Sequence, residues 1–363
     1  MKRPVRTDKQ EESATGTGHC CHSLEGFDAR RFAGVLEQWF QRHGRHDLPW
    51  RLTSDPYAIL VSELMLQQTQ VATVVRGRYL ERWLETFPDL PTLAAAPVEQ
   101  VLKAWEGLGY YRRARTLQTL AQRVVQQHAG ELPSQADTLA ALPGIGPYTA
   151  GAVASLAFGR SSAVVDGNVA RILARVLDWR EPIDSTQGAR WSWRMAQALV
   201  DACDDPRRFN SALMELGQTV CPPGRPRCGS CPVREFCRSG SGQGIDPGAL
   251  PVKKPVEPPT EVVESVLWWQ RGDWILLQQI PAGRRRAGLW QLPGTGEAER
   301  QRNPLHRLTY GITRYRVRLT VFAPADDESP PAGDDFRWLD PEQRAQVAIA
   351  APYLKAIAHI ERL

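Results

Sequence analysis

The hydrophobic period changes partway along the chain, and this change restricts the fold more than any other feature. From residue 27 to about residue 237 apolar side chains recur three and four positions apart, with repeated helix-start signals; beyond residue 259 they recur every second position. A helix buries a stripe and a strand buries a face, so the two stretches belong to different architectures. Between them, Ser-Gly-Ser-Gly-Gln-Gly is followed by Pro251, Pro255, Pro258 and Pro259, the composition of a linker. With 363 residues, the chain has material for two cores. The expected organisation is an all-α domain over 27–238, a linker over 239–259 and a smaller α+β domain over 260–363. In the second domain 262–269, 274–279 and 314–322 read as strands, the first two joined through Arg271-Gly272-Asp273, and 351–363 reads as a helix. Residues 1–26 are polar, lack a period and read as a disordered extension.

Local signals agree with the helical half. Asp55 stands before Pro56 as a capping side chain before a first-turn proline, and Ser134 stands three residues before Asp137 as a weaker capping pair. Hydrophobic residues make up 42% and charged residues 23%, which excludes disorder throughout. No apolar run reaches membrane-spanning length and the N-terminus lacks a secretory signal, so a cytoplasmic, nucleoid-associated protein of bacterial type is expected. The net charge of +5 admits an anionic partner without naming one.

The cysteines say more. In the tail, His19-Cys20-Cys21-His22 are consecutive and can hardly converge on one tetrahedral ion. Cys221, Cys228, Cys231 and Cys237, by contrast, form C-x6-C-x2-C-x5-C in one proline-rich loop. Zinc sites usually draw two short knuckles from separate hairpins, whereas a single loop presenting four thiolates suits a [4Fe-4S] cluster, with zinc as the alternative. This spacing resembles that of the endonuclease III and MutY family of DNA glycosylases, whose helical domain ends in such a cluster loop.

Three further features bear on the chemistry. Leu142-Pro143-Gly144-Ile145-Gly146-Pro147-Tyr148 lies between helical patterns, where Gly144 and Gly146 allow backbone N–H groups to face a phosphate at a helix start. It is similar to the helix-hairpin-helix signature of DNA repair proteins; the plain reading is an ordinary turn between helices. Glu63 shares a helix face with Ile59, Leu60, Leu66 and Gln67, so desolvation would raise its pKa into the range of a general acid; otherwise it is a solvated edge residue. Asp166 precedes Gly167-Asn168 and a helical pattern, where local sequence favours a plain N-cap.

The resemblance overrides that local reading and makes Asp166 the catalytic aspartate with Asn168 as its companion. Two carboxylates suit glycosidic cleavage through an oxocarbenium-like state, one protonating the leaving group and one stabilising the cation. Endonuclease III-like enzymes carry a nucleophilic lysine where Tyr148 stands, so the resemblance implies a monofunctional enzyme. The runs 48–51, 63–71 and 107–111 resemble the MutY branch, which removes adenine mispaired with 8-oxoguanine. That implies Glu63 as the acid toward adenine N7, with Tyr148 and Asn168 positioning the pair. Trp50, Arg51, Leu66, Ser211 and Met214 would form the adenine pocket, and Gln67, Gln68, Thr69, Tyr110, Gly144 and Gly146 would face DNA, with Gln68 and Tyr110 wedging into the stack. Ser211 departs from members that use Glu or Gln, and Ala170 from members with a lysine able to trap the abasic product.

The second domain resembles the MutT-like domain of the same family, most clearly at 288–294. Glu297 and Glu299 do not make the acidic helix a magnesium-dependent Nudix hydrolase needs. Thr313 and Arg314 align with the family's 8-oxoguanine recognition loop. The implied function is a monomeric adenine DNA glycosylase of base excision repair acting on duplex DNA with A:8-oxoguanine or A:G mispairs. The alternatives are an endonuclease III-type pyrimidine glycosylase and lyase, or a lesion-binding protein without catalysis.

Overall fold

The computed structural model of the protein describes residues 24–240, 245–255, 257–295 and 303–362. The tail up to residue 23, with its His19–His22 set, and Glu297 and Glu299 lie outside the described residues. Within the first part run α1 (Ala29–His43), α2 (Pro56–Leu66), α3 (Val71–Arg76), α4 (Tyr79–Thr86), α5 (Leu90–Ala95), α6 (Val98–Ala104) and α7 (Arg112–His128). They are followed by α8 (Ala136–Ala140), α9 (Pro147–Leu156), α10 (Gly167–Leu177), α11 (Thr186–Asp201) and α12 (Pro206–Thr219). No described helix is long and apolar enough to cross a membrane.

Two apolar clusters divide these helices into lobes. One gathers α2 to α9 around Trp83 and Trp105, and the other packs α1 and α10 to α12 around Phe32, Trp179, Trp191 and Phe209. Helix α2 starts as expected, with the Asp55 carboxylate accepting from the Tyr57 and Ala58 amides and Pro56 in the first turn. Every residue from Tyr57 to Met65 is buried, so α2 is a central helix rather than an amphipathic surface one. Ile59, Ala152, Leu156 and Val164 join the lobes, with Tyr148 and Met214 against them.

The second part holds two small sheets. β1 (Thr260–Leu267) lies parallel to β6 (Tyr315–Phe322), which pairs antiparallel with β5 (Pro304–Ile312). β2 (Gln270–Arg271), β3 (Trp274–Gln279) and β4 (Trp290–Gln291) form the other sheet, with β7 (Phe336–Leu339) beside β3; α13 (Pro341–Gln346) and α14 (Ala351–Ile360) close the chain. Helix α14 packs on β5.

Several expectations need correction. The turn at Gly272-Asp273 joins β2 to β3, whereas β1 belongs to the other sheet. Arg314 precedes its strand: Thr313, at φ 53°, and Arg314 make the β5–β6 turn. Strand β5 escaped notice because its half-buried side mixes Pro304, His306, Leu308, Tyr310 and Ile312 and does not read as an apolar face. Ser134 caps nothing; α8 begins after Gln135 without a side-chain cap, and the Ser134 hydroxyl accepts from Arg160 instead. Residues 24–26 form a turn closed by the Phe27 amide on the Leu24 carbonyl, so order begins before residue 27. The described part of the Gly/Pro-rich stretch is strapped down, since Arg175 donates to Leu250 O (3.0 Å) and Ile183 N to Val252 O (2.9 Å). Composition signals backbone freedom but not the carbonyls available to remove it.

The two parts touch along α6 and α7. Lys103 donates to Val347 O (3.1 Å), Glu106 accepts from the Ile349 amide (3.0 Å), and Arg115 donates to Ala287 O.

Only one glycine of the α8–α9 turn is conformationally required. Gly144 sits at φ 73°, and a Cβ there would lie 1.8 Å from Thr116 Cγ2, whereas Gly146 is extended with open space around it. We expect Gly144→Ala to lower stability by about 1–3 kcal/mol. Gly146→Ala should cost less than about 0.5 kcal/mol. Urea midpoints of the two variants check this; the opposite order would mean that the turn is not shaped as described.

Candidate active site

A cavity of about 410 Å³ opens at the junction of the lobes. Glu63, Tyr148, Asp166 and Asn168 line it together with Trp50, Arg51, Leu66, Ser211 and Met214, so every residue expected at the catalytic centre or base pocket faces one space. Helix α12 contributes the stripe Arg207, Ser211, Met214 and Gln218, spaced so that each lies on the same side.

Glu63 is 4% exposed in the middle of α2. Burial pushes its carboxyl up to about 7; a hydrogen bond from the Tyr148 hydroxyl to Oε2 (2.8 Å) pulls the other way, the charge of Asp166 pushes further up, and Arg51 pulls down. The Tyr148 phenol is itself held well above its ordinary range by burial and by Glu63, so it stays a donor. Its hydroxyl also lies 3.7 Å from Met214 Sδ, bridging α9 and α12.

Asp166 is the N-cap of α10, as local sequence suggested and the family reading had set aside. Oδ1 accepts from the Asn168 (2.9 Å) and Val169 (2.7 Å) amides, and Oδ2 from Asn168 Nδ2 (2.7 Å). The two readings are compatible. Capping fixes the carboxylate, the helix N-terminus favours its charge, and Asp166 still faces the cavity. Behind it Asn168 Oδ1 accepts from Arg171 Nη2 (2.8 Å), and Arg171 donates on to Gly217 O and Cys221 O.

Sequence reasoning missed the buried ion cluster that forms one wall. Glu215, 1% exposed, accepts Arg45 through both oxygens (2.7 and 3.0 Å) and Arg51 (2.9 Å). Burial alone would raise its pKa, but the Arg45 hydrogen bond and Arg51 bring it below the ordinary value. The available signal was a lone Glu inside the apolar run Leu213-Met214-Glu215-Leu216. Arg207, which also lines the cavity and donates to Thr53 O (2.6 Å), gave no such signal because its partners are backbone.

Of the residues expected to face DNA, all but Thr69 lie outside the cavity lining. Gln68 and Tyr110 are exposed and both left-handed, at φ 56° and 46°. Thr69 reaches the cavity rim, and Gln67 is half-buried and donates to Thr149 on α9 (3.2 Å). The first helical turn of α9, after Gly146, has no side-chain cap. Thr313 and Arg314 are exposed at a hairpin tip in the second part and do not line the cavity.

Cys221, Cys228, Cys231 and Cys237 share one small cavity with Arg175, Val220 and Pro226. A Cβ on Gly240 would lie 3.2 Å from Cys237 Sγ and 3.8 Å from Cys228 Sγ, so the wall is closed up to the sulfurs. Among the described residues no three His, Cys, Asp or Glu side chains converge as for a single ion. The thiols surround a volume instead, and this donor set fits a polynuclear cluster.

A buried acid and a capped carboxylate on one cavity, beside a helix-hairpin-helix turn, define a base-excising DNA N-glycosylase. Residues 61–193 match the HhH-GPD superfamily of base excision DNA repair proteins. A thermostable thymine-DNA glycosylase superposes with a TM-score of 0.54 at 27% identity, over 60% of this chain and 99% of that one. The adenine DNA glycosylase of Mus musculus is 48% identical over 92% of this chain and 78% of its own length. That of Mycolicibacterium smegmatis is 42% identical over 56% and 67%, and that of Homo sapiens 48% over 57% and 39%, so the match spans only about two fifths of the human enzyme. The chain belongs to the adenine DNA glycosylase family.

The raised pKa of Glu63 couples stability to pH. Between the ordinary value of 4.5 and about 7 the folded chain holds a proton that the unfolded chain releases, so this contribution is complete at low pH and is lost as pH rises through about 7. Glu63→Gln cannot titrate. We expect wild type to lose about 2–3 kcal/mol relative to Glu63→Gln between pH 5 and pH 8, read from urea midpoints. A constant difference across that range would show that the carboxyl is not desolvated.

Proposed function

We propose that this chain is a monofunctional adenine DNA glycosylase that extrudes adenine from a mispair with 8-oxoguanine or guanine and hydrolyses its N-glycosidic bond. The observation that carries the reading is the Glu63 carboxyl, buried in the cavity, hydrogen-bonded by Tyr148 and sharing that cavity with Asp166. At neutral pH such a carboxyl is part protonated and can donate to adenine N7, making the base a better leaving group. The sugar then bears positive charge, and the Asp166 carboxylate, fixed by two amides and Asn168, stabilises it without reorganising. A phenol at Tyr148 cannot form the Schiff base that precedes strand scission, which separates this chain from the lyase reading.

Residues 260–363 are assigned as the reader of the opposite base, with the Thr313 hydroxyl and Arg314 guanidinium as candidate contacts to the edge of 8-oxoguanine. Gln68 and Tyr110 are assigned to the DNA stack and the uncapped amides of α9 to a phosphate. The four cysteines would hold a [4Fe-4S] cluster, which when bound would cross-link the 221–237 loop. Arg175 donates to Cys221 Sγ (3.1 Å), and the Gly240 amide to Cys237 Sγ (3.3 Å), contacts that suit thiolate ligands.

The test is incubation with duplexes carrying A opposite 8-oxoguanine, A opposite G, and thymine glycol. Adenine release from the first two, with strand breaks appearing only after alkali, is expected. Alkali-independent scission at thymine glycol would select the lyase reading, and tight binding without base release the non-catalytic one. Anaerobically purified protein should contain about four irons per chain. Stoichiometric zinc in their place would replace the cluster assignment.

A further inference from the structure

Gln68 and Tyr110 lie in separate loops, one after α2 and one before α7, yet they share two features. Each is exposed, and each is held in the left-handed backbone region that non-glycine residues avoid. Such strain persists only where the surroundings over-determine it. The group that does so is Arg113, in the first turn of α7. Its Nη1 donates to Leu64 O (2.6 Å), Met65 O (3.0 Å) and Gln67 O, the carbonyls that α2 leaves unpaired where it ends. Its Nη2 donates to Thr69 Oγ1 (3.3 Å) and, across the gap, to Leu108 O and Gly109 O (3.1 Å each). The guanidinium lies against the rings of Trp105 (5.3 Å) and Tyr110 (5.6 Å), and Trp105 donates to Gly109 O (3.1 Å). Among the described residues no carboxylate pairs with Arg113, and burial lowers its pKa to about 10. A desolvated cation that directs five of its six hydrogen bonds to backbone carbonyls contributes little to a charge network, but it fixes the spacing of the loops that supply them.

We propose that Arg113 is a positioning residue that yokes the loops 67–70 and 107–110 into one preformed two-point wedge, with Gln68 and Tyr110 as its tips, for prising a base pair apart. This rests on the glycosylase reading above. A base pair opened by two points needs those points at fixed separation before contact, because ordering them on DNA would oppose the extrusion they drive. Only a planar fork can serve both carbonyl sets at once; a lysine ammonium has the charge without the span. The competing role is a plain cap on α2, which would act through Glu63 on the same helix rather than through the wedge.

Fluorescence separates these roles. With 2-aminopurine beside the target adenine in an A:8-oxoguanine duplex, and Glu63→Gln as background so that nothing is cleaved, the fluorescence rise on binding reports unstacking. Introducing Arg113→Lys should reduce the extruded population about tenfold, the scale of losing charged hydrogen bonds, while the duplex is still bound. Tyr110→Ala should do the same, and the double variant should be worse than either by no more than about twofold, since both act on one element. In chains with Glu63 intact, Arg113→Lys should slow single-turnover excision yet keep the alkaline limb of the rate profile near pH 7, where Glu63 sets it. Arg113→Met, which removes every donor, must show at least the same loss of extrusion. The proposal is overturned if Arg113→Lys and Arg113→Met extrude like the parent, if the Arg113 and Tyr110 penalties multiply, or if Arg113→Lys moves the alkaline limb. Absence of both fluorescence rise and adenine release in the unaltered protein would instead remove the glycosylase reading on which this one stands.

Discussion

A carboxyl buried in the middle of a helix is the constraint around which the helical part is arranged. Glu63 cannot be solvated where it sits, so its protonation depends on what the two lobes bring to it: the Tyr148 hydroxyl from α9, and the charges of Asp166 before α10 and of Arg51. Helix α2 belongs to one apolar core, while the helix that Asp166 caps belongs to the other. The acid's pKa is thus a property of how the lobes meet, and a substitution that lets them slide would retune it without touching the carboxyl. The junction itself is aliphatic, made by Ile59, Ala152, Leu156 and Val164, while the large aromatics fill the two cores on either side of it.

Arginines acting on carbonyls hold several of the irregular segments, as the Arg45 and Arg51 pairs with Glu215 hold the one between α1 and α2. Arg171 links Asn168, and through it Asp166, to Gly217 and Cys221. Arg175, 1% exposed, holds Pro222 and Leu250, so that the cysteine loop and the segment after it are fastened to α10. Loop backbone buried without partners is costly, and a guanidinium can satisfy several carbonyls from one side chain. The exposed ion pairs, such as Arg30 with Asp204, add little beside these.

This explains what could and could not be read from the sequence. The helical half and the change of period were legible because burial periodicity and caps are local, and the local cap reading of Asp166 proved sound; the cavity-lining set was reached through the family resemblance and not from local pattern. Arg113 was not legible, because nothing in its neighbourhood names the carbonyls of residues 64, 65 and 108 as its partners. Nor was the buried pairing of Arg45 with Glu215, which joins residues far apart in sequence. In the second part, β1 and β3 read correctly as strands, but parallel pairing of β1 with β6 is a non-local choice that alternation cannot specify.

The α6–α7 pair ties the second part to the first. Lys103 and Glu106 at the end of α6 and Arg115 on α7 hold the segments around Val347, Ile349 and Ala287, and the loop between these helices carries Tyr110. Arg113, two residues before Arg115, fastens that loop to the end of α2, three residues after Glu63. The strand-bearing part, the exposed loop tips and the acid therefore rest on one short frame of packed helices. A frame of this kind needs no change of conformation to be useful. It seats the strand-bearing part, the loop that carries Tyr110 and the helix that carries Glu63 on the same few contacts between side chains and backbone, so a change at any of these contacts is felt by all three.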